Sequence, residues 1–138
     1  MREILFRGKK LGTNKWIYGD FKREANLCYI EERYIEYYEK AMVIPETVGQ
    51  HTCLPFDIYE GDIIESYLHP NAIYVVLWNE HQCCFSAIDK YEYDLYSDEL
   101  FKYNSLNNKR NITPDWILKF QFGVIGNIHD NPELMKEK

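Results

Sequence analysis

The chain has 138 residues, of which 46% are hydrophobic and 28% are charged. This composition is typical of one globular domain and excludes a disordered or low-complexity protein. A chain of this length buries about two thirds of its unfolded surface, which is enough for a core without disulfides or a structural metal. The net charge of −6 excludes an overall attraction to phosphate backbones or anionic membranes.

The charge is distributed unevenly along the chain. Residues 1–23 carry seven basic and two acidic side chains, a net charge of +5. Residues 24–100 carry three basic and sixteen acidic side chains, a net charge of −13, and residues 101–138 carry a net charge of +2. This asymmetry permits head-to-tail contacts between identical subunits, although a solvated acidic face has the same pattern.

The N-terminal segment predicts a β-hairpin followed by a stretch of mixed propensity. A turn over residues 8–15 separates the short run 2–6 from the aromatic and β-branched run 16–19, a pattern typical of paired strands. Residues 31–42 contain Glu, Lys, Ala and Met, which favour a helix, but also Tyr and Ile, which favour a strand. The residues from Pro45 to Gly49 end this stretch.

The centre of the chain predicts a β-meander, because three apolar runs alternate with short turns. The runs are residues 63–67, 72–78 and 83–88. The turns that precede them are residues 59–62, 69–71 and 79–82. Closure of the meander into a small barrel would remove its exposed edges.

The C-terminal segment predicts short helices and one further strand. We expect a short helix at residues 98–101 and a helical turn at 116–120, begun by Thr113 as the cap with Pro114 at the first position. Residues 121–125 predict a strand. The last residues predict one helical turn that begins at Pro132 and frays.

Several residues are typical of turns rather than of chemistry. Glu60 and Asp62 flank Gly61, and we expect a type I′ or II′-like turn with Gly61 at positive φ, rather than a cation or acid–base site. Asp130 and Asn131 are expected to cap the turn at Pro132. The predicted structural turn residues are Gly49, Gly61, Asp62, Gly126, Asn127 and Pro132.

The sequence predicts no catalytic residue, metal ligand or cofactor. It contains no Gly-rich phosphate loop, G-x-S-x-G or H-E-x-x-H motif. The four cysteines lack C-x-x-C spacing, which favours free thiols in a reducing compartment. The metal alternative needs convergence of two pairs, His51 with Cys53 and His81 with Cys83 or Cys84. The N-terminus lacks a signal peptide and the apolar runs are far shorter than a membrane span, so we expect a cytoplasmic protein.

Three sequence blocks in order resemble the YopX family of phage and prophage proteins. The first is R-E-I-L-F-R-G at residues 2–8 with W-I-Y-G at 16–19. The second is P-E-T-V-G-Q-H-T at residues 45–52, which continues into I-Y-E-G-D-I-I at 58–64. The third is V-I-G-N-I-H-D-N-P-E-L at residues 124–134. The segment 53–57 is shorter than in the relatives. A partner contact that this loop makes in relatives therefore need not be made in this chain.

The resemblance implies a mainly β, homo-oligomeric phage or prophage protein in the host bacterial cell, with no known activity. It also implies strand rather than helix for residues 28–42. We therefore predict one domain over residues 1–138, a twisted sheet or SH3-like barrel with one or two short helices. Within it we place an N-terminal β segment at 1–50, a meander core with the C-terminal strand at 51–130, and a tail at 131–138.

The expected function is a non-enzymatic protein-interaction module that binds further copies of itself, with a phage or host protein as another partner. Twelve tyrosines exceed the needs of one small core, and exposed tyrosines favour protein contacts. The candidate interaction residues are Lys9, Lys10, Lys15, Trp16, Tyr91 and Tyr93. One alternative is a nucleic-acid-binding barrel that uses the basic N-terminal face. Another is an acidic inhibitor of a host DNA-binding protein, using residues 31–39 and 89–99.

Overall fold

A computed structural model describes residues 5–33, 38–52, 56–79, 84–96 and 109–136. The chain divides into two compact units, residues 1–53 and 54–138. The division lies close to the predicted internal boundary at residue 50. That all 138 residues act as a single domain stays a prediction.

The first unit is a five-stranded antiparallel sheet in the order β4-β3-β2-β1-β5. Its strands are β1 (Phe6–Lys9), β2 (Trp16–Glu24), β3 (Leu27–Arg33), β4 (Tyr38–Met42) and β5 (Gly49–Gln50). A short 3₁₀ turn, Pro45–Thr47, precedes β5. The predicted hairpin is confirmed as β1 and β2, where the N–H of Lys10 donates to the carbonyl of Lys15 at 2.8 Å.

The ambiguous stretch at residues 28–42 is strand wherever the structure describes it. Leu27–Arg33 pairs with Tyr38–Met42, so the strand expected from the resemblance is confirmed there and the helix alternative is wrong. The reason is tertiary, because Cys28 and Ile30 alternate into the core of the unit and the two strands satisfy each other's backbone groups. Residues 34–37 lie outside the described residues.

The core of the first unit lies on one side of its sheet. Cys28, Ile30 and Val43 are buried, and the half-buried side chains of four more residues pack against them. These four are Phe6, Ile17, Phe21 and Val48. In β2 the core residue Ile17 alternates with exposed Tyr18, as expected for a strand with one covered face.

The second unit is a five-stranded antiparallel sheet in the order β10-β6-β7-β8-β9. Its strands are β6 (Asp62–Ser66), β7 (Ile73–Asn79), β8 (Cys84–Asp89), β9 (Lys109–Asn111) and β10 (Phe122–Asn127). Strands β6, β7 and β8 pair in chain order, so the predicted meander is confirmed. The predicted strand at residues 121–125 is confirmed as β10.

Two short helices belong to the second unit. Helix α2 (Pro114–Lys119) begins at Thr113, whose Oγ1 accepts from the N–H of Trp116 at 3.2 Å, so the predicted cap is confirmed. Helix α1 (Lys90–Tyr96) was not predicted. The helix predicted at 98–101 lies outside the described residues.

The sheet of the second unit has apolar clusters on both faces. Ile63 and Ile64 are neighbours in β6, yet each belongs to a different cluster. One cluster contains Ile63, Ile73, Val75, Ile88 and Met135. The other contains Ile58, Ile64, Val76 and Ile117. The helical turn predicted at Pro132 is confirmed as a 3₁₀ turn, Pro132–Met135, in which Met135 is only 1% exposed. Residues 137–138, at the end of the predicted frayed tail, lie outside the described residues.

The fold class is confirmed as mainly β, with two short α-helices among the described residues. The described strands form two open sheets and no closed barrel, so the sheet rather than the barrel form of the prediction is observed. The nearest approach to closure is in the first unit. There the N–H of Val43 donates to Cys28 and the N–H of Ile44 donates to Lys9, so the chain after β4 bonds both β3 and β1. None of the described helices is long and apolar enough to span a membrane.

Candidate interaction surfaces

The Tyr59–Asp62 turn has a structural role, as the sequence indicates. Gly61 adopts φ +93°, and Oδ2 of Asp62 accepts from the N–H of Tyr59 at 2.8 Å. The positive φ of Gly61 was predicted. The turn type was wrong, because only Gly61 has positive φ, as in a type II turn, whereas type I′ and II′ turns need positive φ at Glu60.

Asn127 organises the turn that follows β10. Its Oδ1 accepts from the N–H groups of His129 at 3.0 Å and Asp130 at 2.9 Å, and its Nδ2 donates to Asp130 Oδ2 at 3.1 Å. Asn131 accepts from the N–H of Asn127 at 3.3 Å and makes no side-chain cap of the 3₁₀ turn Pro132–Met135. The predicted cap by Asn131 is therefore wrong, because its oxygen is used by β10.

The remaining predicted turn residues lie in strands or begin a turn. Gly49 is buried in β5 and Gly126 lies in β10. A Cβ on Gly126 would come within 2.6 Å of Asn131 Oδ1, so glycine permits the close return of the chain. Pro132 begins the C-terminal 3₁₀ turn.

Four of the six candidate interaction residues meet on the β1–β2 hairpin, which we call the basic hairpin. Lys9 pairs with Trp16 in the strand register, and Lys10 is bonded to Lys15 across the turn. The Lys9 ammonium lies 5.5 Å from the Trp16 ring centroid, and the Arg7 guanidinium lies 4.5 Å from it. Both distances are in the range of cation–π attraction. Lys10 and Lys15 are exposed.

The other two candidates, Tyr91 and Tyr93, lie on α1 in the second unit. Tyr91 is exposed, whereas Tyr93 packs against the cluster that contains Ile63 and Met135. Of these two tyrosines, Tyr91 is therefore the one available at the surface. The sequence could not separate the two because they differ only in the helix face on which they lie.

The described residues show no arrangement that supports the metal alternative. Within the described ranges no three His, Cys, Asp or Glu side chains converge in a way that could hold a metal ion. Cys53, His81 and Cys83 lie outside those ranges. Cys28 is buried in the first core, and Cys84 Sγ lies 3.5 Å from Asn111 Oδ1.

An exposed apolar surface at the α2–β10 corner was missed by the sequence analysis. Five of the ten exposed large hydrophobic side chains of the described residues belong to it. We call these residues the apolar edge: Tyr67, Leu68, Leu118, Val124 and Ile125. The signal was present in the sequence, since F-G-V-I-G-N at residues 122–127 contains no charged residue, but this motif equally fits a buried strand.

Backbone contacts bring the apolar edge together. The N–H of Tyr67 donates to Gln121 at 3.0 Å, and the N–H of Gln121 donates to Leu118 at 3.3 Å. A Cβ on Gly123 would come within 3.0 Å of the Tyr67 ring, so the exposed tyrosine lies directly over β10. Lys119 and Asp130 are the charged residues that flank the uncharged strand in sequence.

These features define a small, mostly β protein with an exposed apolar sheet edge and a basic hairpin. The chain belongs to the YopX family, because the family model described as YopX protein matches residues 5–136. The match covers nearly the whole chain and confirms the resemblance. Membership of this family suggests a phage-type protein of unknown function. No curated protein matches the sequence.

Proposed function

We propose that this protein is a non-enzymatic interaction module that assembles with further copies of itself in the cytoplasm of a bacterial host. The apolar edge is the observation that carries the proposal. Tyr67 and Leu118 are 75% and 63% exposed. Val124 and Ile125, in the strand that follows α2, are 45% and 38% exposed. Exposed apolar side chains gathered at one edge of a sheet favour association.

Charge provides a second reason to expect self-association. The segment with net charge +5 and the segment with −13 lie on the same chain, so one copy offers a charge of each sign to another copy. The proposal contains no catalysis, because the sequence has no motif that would activate a nucleophile or bind phosphate. A phage or host protein that binds the same edge would be a competitor for it.

Light scattering on the purified chain tests the proposal directly. At micromolar concentration we expect a uniform mass that is a multiple of 16.6 kDa. Apolar contacts should keep this mass unchanged between 50 mM and 500 mM salt, whereas contacts between the basic and acidic segments should weaken with salt. A mass of 16.6 kDa in both conditions would overturn the proposal.

Nucleic-acid binding is the second candidate, and the basic hairpin favours it. Lys9 lies beside Trp16 there, and the exposed Lys10 and Lys15 are adjacent to them in the chain; cations and an aromatic ring are the groups used to hold single strands. This candidate predicts binding to a fluorescent oligonucleotide that falls steeply with salt. The triple change of these lysines to Glu should abolish it, and binding that survives the change would refute this use of the hairpin.

A further inference from the structure

The edges of the two sheets differ in how well they resist pairing with another strand. Among the described residues, β4, β5, β9 and β10 are edge strands. Strand β5 has two residues and β9 has three, two of which are Lys109 and Arg110. Strand β4 contains Glu39 and Lys40. Short length and charge are the usual protections of a sheet edge.

Strand β10 has neither a short length nor a charged residue to protect it. It has six residues, Phe122–Asn127, and none is charged. Val124 and Ile125 are 45% and 38% exposed, and both are β-branched residues that favour cross-strand packing. A register shift between Val124 and Gly126 leaves Ile125 as the extra residue opposite β6, so both adjacent apolar side chains remain at the surface.

We infer that β10 pairs antiparallel with β10 of a second copy about a twofold axis between Val124 and Ile125. This inference rests on the proposed function and specifies its interface. In this register Val124 lies opposite the partner's Ile125, which gives two β-branched pairs at the axis. Gly123 lies opposite the partner's Gly126, so neither residue adds a side chain to the faces of the joined sheet there. A symmetric pair of this kind uses the same surface on both copies and closes as a dimer.

The charges at the two ends of the strand complement this register. Lys119 precedes Phe122 by three positions and Asp130 follows Asn127 by three positions. Antiparallel pairing brings the beginning of one β10 beside the end of the other, so the end of α2, which carries Lys119, is brought toward the turn that carries the partner's Asp130. A parallel arrangement would bring like charges together, and a strand of another protein would need a matching pair at the same spacing.

The first test adds a charge to the edge. Val124→Lys should raise the dissociation constant measured by analytical ultracentrifugation at least tenfold, or halve the mass of a larger assembly. Leu27→Lys is the matched control, because Leu27 is also 45% exposed but lies at the start of β3 in the first unit. It should leave the association unchanged. Association that survives Val124→Lys would overturn the edge pairing.

The second test exchanges the charges. Lys119→Glu and Asp130→Lys should each weaken association about threefold to tenfold, and the double variant should recover to within threefold of the unchanged protein. A double variant weaker than both single variants would overturn the antiparallel register. A wild-type chain that is monomeric refutes both the proposed function and this interface. An oligomeric wild type that tolerates Val124→Lys refutes the interface alone.

Discussion

The two sheets bury their apolar residues in different ways. In the first unit Ile17 and Phe21 pack on the core cluster while the neighbouring Tyr18 and Lys22 are exposed, so the strand alternates. In the second unit the adjacent residues Ile63 and Ile64 are both completely buried, in clusters on opposite faces. The first sheet thus has one apolar face and the second has two.

The difference explains why each unit needs the elements that it has. A strand with two apolar faces requires a covering layer on each. Residues of α1 and the C-terminal 3₁₀ turn, Tyr93 and Met135, pack in one cluster of the second unit. Ile117 of α2 packs in the other. The apolar faces of this sheet therefore determine where the short helices pack.

The largest expected effect comes from truncating the two cores. Ile63→Ala should cost about 4 kcal/mol of the free energy of unfolding, and Ile30→Ala about 2–3 kcal/mol. Both side chains are 0% exposed. Ile63 shares its cluster with four other buried side chains, whereas Ile30 shares its cluster with only two, so the half-buried residues around Ile30 close over a cavity more easily. Urea unfolding measures both, with Leu27→Ala as an exposed control, and a larger loss for Ile30→Ala would contradict the comparison.

Glycine substitutions test how rigidly each sheet is packed. A Cβ on Gly19 would lie 2.1 Å from the backbone carbonyl of Glu31, whereas a Cβ on Gly126 would meet the side-chain Oδ1 of Asn131 at 2.6 Å. A side chain can rotate away and backbone cannot without separating β2 from β3. Gly19→Ala should therefore cost about 3 kcal/mol and Gly126→Ala about 1–2 kcal/mol.

Thermal unfolding of both glycine variants, followed by circular dichroism, provides the measurement. Gly12→Ala is the control, because no atom lies within 4 Å of its added Cβ and only its φ of +89° resists substitution. It should cost about 1 kcal/mol. Equal losses for Gly19→Ala and Gly12→Ala would show that the close approach of β2 and β3 is unimportant.

Two threonines provide a smaller comparison. Thr47 Oγ1 accepts from the N–H of Lys9 at 2.8 Å and donates to the carbonyl of Ile44 at 2.7 Å, with only 8% of the residue exposed. Thr113 caps α2 at an exposed position. Thr47→Ala should cost about 2 kcal/mol and Thr113→Ala about 1 kcal/mol. Water can hydrogen-bond the backbone group left by the lost hydroxyl at the exposed Thr113, but not at the buried Thr47. Chemical denaturation that ranks them in the opposite order would contradict this.

The smallest effect is expected for an ion pair on the first sheet. Lys40 Nζ donates to Glu24 Oε1 at 2.6 Å, and this hydrogen bond raises the pKa of Lys40 above its ordinary value of 10.5. The stabilisation is present in full below the unfolded pKa and is lost as the pH rises through the higher folded pKa. Because both side chains are exposed, Lys40→Met should lower Tm at pH 8 by roughly 1 °C.

The same variant should show no difference from the unchanged protein above the folded pKa, or at pH 8 in 1 M salt. Lys22→Met, which removes another exposed lysine of the same sheet, controls for the loss of charge. A Tm difference that persists in both conditions would contradict the assignment of the effect to the ion pair.

The parts of the fold that depend on residues close in sequence were predictable. The hairpin of β1 and β2, the meander of β6 to β8, the cap at Thr113 and the positive φ of Gly61 all depend on residues close in sequence. Helix α1 was missed, because its tyrosines and acidic residues carry no helical pattern strong enough to override their strand propensity. Of the two candidate surfaces, only the basic hairpin was predicted from the sequence, because a single turn brings its residues together.

The sequence alone determined the β1–β2 hairpin, the meander of β6 to β8, the turn at Gly61 and the family, because each depends on short-range preferences or on ordered motifs. Only the tertiary structure decided which apolar residues stay exposed. Val75 and Val124 are equally hydrophobic, but Val75 lies in a central strand and Val124 at an edge. Sheet order is set by contacts between distant segments, such as β10 with β6, and no local pattern encodes it.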